Sequence, residues 1–96
     1  MIRHICMFTL KPENKEQTIA EFFDRAEALR KIDTIKSFQV VKNAEKTPDS
    51  NYDVALIFDF DTVEALDFYQ KSPQHVEFGK YVSAVRIQRA CIDYKF

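Results

Sequence analysis

The chain has 96 residues, 46% of them hydrophobic and 30% charged, which is the size and balance of one globular domain spanning residues 1–96. Its net charge of −1, with 14 basic residues interleaved among 15 acids, leaves no clustered basic surface for nucleic acid. No apolar run approaches the ~20 residues that cross a bilayer, so no membrane partner is expected. The first ten residues alternate rather than forming a signal-peptide core, which points to a cytoplasmic location. Cys6 and Cys91 lack metal-ligand spacing and are expected to be reduced, half-buried residues.

Ile2 to Leu10 reads as a strand. His4, Cys6, Phe8 and Leu10 share one face, and both faces are largely apolar, as in a strand covered on each side. After the break at Pro12, the period becomes helical from Glu13 to Lys31, with Ile19, Phe22, Phe23, Ala26 and Leu29 on one stripe. Acids lead this helix and bases end it, which suits the helix dipole. Ile35 to Lys42 is a second strand, and the polar stretch from Asn43 to Asn51 is a surface loop. Tyr52 to Phe60 is a third strand. Asp61 and Glu64 have capping-box spacing and open a helix that runs to Lys71. At Ser72-Pro73 the helix restarts, with Ser as N-cap and Pro at the first helical position, and Gly79 is expected to loosen or end it. Arg86 to Tyr94 is the last strand.

The order is βαββαβ with a broken second helix: an α+β, ferredoxin-like chain, with a four-stranded antiparallel sheet and its helices on one face. The other sheet face would carry Ile5, Met7, Ala55, Ile57, Ala90 and Ile92. A monomer rarely exposes so large an apolar face. Two copies packed sheet to sheet would cover it, so a homodimer of the dimeric α/β-barrel kind is expected.

The chain resembles the stress-response A/B barrel (Dabb) family along nearly its whole length. The resemblance rests on Ile2-Arg3-His4-Ile5 with Phe8, Pro12-Glu13, Phe22-Phe23, Tyr52-Asp53-Val54-Ala55-Leu56, and the stretch from Tyr69 to Val76. Phe78-Gly79 and the closing Asp93-Tyr94 also match. The resemblance implies a homodimeric barrel but no single activity. A plant polyketide cyclase of the family is similar at His4, Phe22, Phe23, Tyr69 and His75, and its residues matching Tyr69 and His75 are catalytic. This chain departs from it at Val54 and Ser72, where the relative has histidines, and at Arg86 and Arg89, where it has apolar residues. A looser resemblance reaches the cofactor-independent monooxygenases of the same barrel type.

The residues themselves point to one candidate site, with His75, Tyr69 and His4 as its catalytic groups. An imidazole near its reference pKa of about 6.5 accepts protons at neutral pH, and a tyrosine hydroxyl can stabilise an enolate. Phe8, Phe22, Phe23, Leu56 and Phe78 would wall a small, mostly apolar ligand cavity. Each residue also has a structural reading. His4 can bond backbone or water, His75 and Tyr69 can be packing residues, and Phe22-Phe23 is the sort of stripe that fills a core. Arg86 and Arg89 are either charges that protect an edge strand or, facing the cavity, groups that select an acidic ligand. Two histidines alone do not make a zinc site, and one glycine cannot build a phosphate loop, so no metal and no cofactor are expected. The function expected is a homodimeric scaffold with a ligand cavity. The alternative is a small enzyme using His/Tyr acid-base chemistry on a carbonyl compound.

Overall fold

Alternation along the first strand sets the layers. In a computed structural model describing residues 1–96, β1 (Ile2–Leu10) buries His4, Cys6, Phe8 and Leu10 on one side and leaves Arg3, Ile5, Met7 and Thr9 half-buried on the other. β1 lies between β3 (Val54–Phe60) and β4 (Arg86–Lys95), and β2 (Ser37–Lys42) pairs with the far side of β3, all antiparallel. The order β2-β3-β1-β4 is the ferredoxin-like sheet.

Three helices cover one face. α1 (Lys15–Ala26) starts two residues later than its periodicity suggests, because Asn14 takes a left-handed conformation (φ 54°) and its carbonyl accepts the Thr18 N–H. Its last turn tightens into a 3₁₀ segment, Glu27–Lys31, which buries Leu29. α2 (Val63–Lys71) is capped by Thr62, whose hydroxyl accepts the Ala65 N–H, so Thr62 and not Asp61 opens it. α3 (Pro73–Val85) has Pro73 in its first turn as expected, but Ser72 does not cap it with its side chain. That hydroxyl instead donates to the Phe68 carbonyl of the preceding helix. Gly79 does not end α3. The buried anchors Phe78 and Val82 flank it, and their packing outweighs a helix-interior glycine penalty of about 1 kcal/mol.

The core lies between these layers. Phe22, Ala26, Leu29, Phe58, Phe60 and Leu10 are fully enclosed. The opposite sheet face has no cover within the chain. On it Ile5 pairs with Ile57 and Ile92, and Met7 with Ala55 and Ala90, so the six apolar residues expected there are cross-strand neighbours. Arg3 spans the end of this patch, its guanidinium donating twice to Asp59 at 2.8 and 2.9 Å and stacking over Phe96. Cys6 and Cys91 are also register partners and are joined in a disulfide, which corrects the expectation of two free thiols. The 85 residues between them give no hint of contact; the β1–β4 register creates it. No helix is long and apolar enough to cross a membrane.

Candidate functional site

The break between α2 and α3 turns two helices toward the same point of the sheet. Ser72 has extended backbone between them (φ −68°, ψ 145°), which ends one helix and re-aims the next. Tyr69, in the last turn of α2, and His75, in the first turn of α3, meet with ring centroids 4.7 Å apart. His4 rises from β1 beneath them, its ring 6.0 Å from that of Tyr69. All three line one cavity of about 140 Å³. Its floor is the buried apolar set Phe8, Leu56, Phe78 and Val82, while the exposed Gln70, Ser83 and Arg89 form the rim with the half-buried Arg86.

Two of the expected wall residues are elsewhere. Phe22 sits one layer deeper, its ring 5.8 Å from Phe8 and 5.2 Å from Phe78, so those two stand between it and the cavity. Phe23 points away, into a surface groove with Ile19, Ala20 and Lys42. Successive helical residues diverge by about 100°, so neighbours cannot both face one void. Phe8, Leu56, Phe78, Arg86 and Arg89 do line it.

The polar groups differ in what holds them. His4 is buried, and its Nδ1–H donates to the Asp93 carboxylate at 2.5 Å. A carboxylate only accepts, so this bond places a proton on Nδ1. Asp93 is the partner of His4 that sequence reasoning missed. It faces His4 in the β1–β4 ladder, and only that register reveals it. Tyr69 is fully buried, and its hydroxyl has no hydrogen-bond partner. Burial pushes this hydroxyl well above the ordinary phenol range, so it stays protonated and can only donate or accept a hydrogen bond at neutral pH. Burial likewise lowers His75 below the usual imidazole range. A hydrogen bond with the Gln70 backbone opposes this, and the nearby His4 and Arg89 add to it. His75 is thus a neutral base at pH 7. No cluster of three or more His, Cys, Asp or Glu side chains is placed to hold a metal ion.

A neutral His75 beside Tyr69 can take up a proton, and the unpartnered Tyr69 hydroxyl can donate to the oxyanion that forms. Nothing here is an activated nucleophile, since the only sulfur at the site, Cys6, is bonded to Cys91.

Comparison with known proteins follows the same outline. The family model described as the stress responsive A/B barrel domain matches residues 2–96. A dimeric protein of unknown function with a ferredoxin-like fold from Bacteroides fragilis is 32% identical, with a TM-score of 0.86 over 99% of this chain and 95% of that one. A dimeric ferredoxin-like protein of unknown function from Thermobifida fusca is 20% identical, with a TM-score of 0.89 over 99% and 90% of the two chains. Hydroxynitrile lyase from Passiflora edulis is 18% identical, with a TM-score of 0.82 over 97% and 90%, a likeness of fold alone. The sequence matches no curated protein.

Proposed function

The chain belongs to the stress responsive A/B barrel family, and from that premise we propose that it works as a homodimer in which each protomer binds a small carbonyl compound and moves a proton on the carbon next to that carbonyl. The observation that carries this reading is the Tyr69 hydroxyl, enclosed and without a partner, on a ring that packs against both His4 and His75. A buried hydroxyl left unbonded costs about 1–3 kcal/mol, and a ligand carbonyl accepting from it recovers that cost. In the proposed step, His75 takes the α-proton and the electron pair shifts onto the carbonyl oxygen. Tyr69 donates to that oxygen. His75 then returns its proton to the carbon as the enolate collapses, while His4, oriented by Asp93, assists from the other histidine position of the cavity.

The dimer part of the reading rests on the open sheet face. Ile92 is 58% exposed there, beside the half-buried Ile5, Met7, Ala55, Ile57 and Ala90. The Bacteroides fragilis and Thermobifida fusca proteins of the same fold are described as dimeric.

The test is α-proton exchange in D₂O, followed by NMR on a panel of small ketones and aldehydes beginning with acetophenone. The wild type should accelerate exchange for at least one member. His75→Ala should slow it by about 10²-fold or more. Tyr69→Phe should slow it comparably while keeping or raising the melting temperature, since it removes an orphaned hydroxyl. Equal exchange with and without His75 overturns the mechanism. No exchange across a panel whose members still raise the melting temperature would leave the binding scaffold and remove the enzyme.

A further inference from the structure

The rim of the cavity carries two guanidiniums that the proton-transfer reading does not use. Arg86 and Arg89 both line it, yet neither takes part in any of the eight ion pairs of the molecule. Their joint presence depends on an irregularity in the backbone. Along β4, Arg89 faces Phe8 and Gln88 faces Thr9, but Leu10 then faces Arg86, so Ile87 is skipped. In a regular ladder Ile87 would pair with Leu10 and point to the cavity side, and Arg86 would point to the open sheet face. The bulge reverses this, turning Ile87 out to 55% exposure and bringing both arginines to one side. An edge strand that used them only against aggregation would have no need of the bulge.

We infer that Arg86 and Arg89 form a carboxylate subsite at the mouth of the His4–Tyr69–His75 cavity, and that the ligand is a compact oxo acid with its carboxylate at the arginines and its carbonyl at Tyr69. The guanidinium fork matches a planar carboxylate, and a guanidinium without a counter-ion leaves that position to the ligand. Size narrows the class further. A cavity of roughly 150 Å³ accommodates a ligand of about benzene's size, and this one measures about 140 Å³. That fits a short or single-ring acid and excludes a long polyketide chain lying wholly inside. The carbonyl half of this inference rests on the proton-transfer reading; the carboxylate half stands without it.

The experiment is binding, not turnover, with benzoate and its neutral isostere benzamide as probes. Each is titrated into the full chain by thermal shift and by isothermal calorimetry. Benzoate should bind saturably and at least about tenfold more tightly than benzamide. Arg86→Gln and Arg89→Gln should each weaken benzoate by about tenfold, the double variant should bind both probes alike, and the exposed control Lys80→Gln should match wild type. Circular dichroism and melting of each variant separate lost binding from lost folding. Equal affinity for the two probes in the wild type, or undiminished benzoate binding in the folded double variant, overturns the subsite. If benzoate discrimination holds and depends on the arginines while α-proton exchange is absent, the subsite stands and the catalytic reading alone falls.

Discussion

The two faces of this sheet are cut from alternate residues of the same strands, yet they live in different solvents. On the helix side, Phe8, Leu56 and Phe58 are buried, and the enclosed space holds both the core and the candidate site. On the other side, Ile5, Met7 and Ile57 are half-buried and Ile92 is exposed, with nothing from the same chain above them. The difference assigns tasks: the covered face carries the stability of a protomer, and the open face is available for association. A polar group on the covered face is therefore expensive unless it serves a ligand, whereas an apolar group on the open face is wasted unless it meets a partner.

The sharpest break of this comparison is on the covered side. Phe22 is fully enclosed against Phe8 and Phe78 and does not touch the cavity. Phe22→Ala should cost about 3–5 kcal/mol in chemical denaturation, the range of large-to-small aromatic deletions. A loss under about 1 kcal/mol would mean that the helix layer is not what holds the protomer together.

Next in size is the open side. Ile57 is central there, directly opposite Ile5. Ile57→Lys puts a charge into the proposed dimer face and should convert a sedimenting dimer to a monomer at micromolar concentration, with the protomer's far-UV spectrum unchanged. A wild type that sediments as a monomer removes the association task altogether, and with it the barrel.

How much of this division could be seen in the sequence depends on distance along the chain. The alternation in β1 and β3 gives both faces, and the six residues of the open patch follow from parity alone. Tyr69 and His75 are six residues apart across a Ser-Pro break, so their meeting is a local event, legible in the sequence. Three of the failures involve β4. The Asp93 partner of His4, the Cys6–Cys91 bridge and the bulge at Ile87 depend on how the last strand aligns with the first, and no short turn connects those two to set a register. Phe23 failed for a different reason. A stripe of two adjacent aromatics cannot point in one direction, and only packing decided that Phe22 went inward.

The smallest expected effect separates the faces by pH. His75, on the covered side, has its pKa lowered mainly by burial, so on acidification the unfolded chain takes up a proton at this position first. Its share of stability is full above the unfolded value of about 6.5 and is lost as pH falls through the folded value. Asp59, on the open side, has its carboxyl lowered mainly by its hydrogen bonds from Arg3, so its share is full above the ordinary carboxylate value of about 3.9 and is lost only below it. Denaturation midpoints measured from pH 8 to pH 3 should therefore show two windows. His75→Gln should flatten the upper one and leave the lower, and Asp59→Asn should do the reverse. If His75→Gln leaves the slope below pH 6.5 unchanged, the imidazole is not enclosed as the covered face requires, and the neutral base on which proton transfer depends is lost with it.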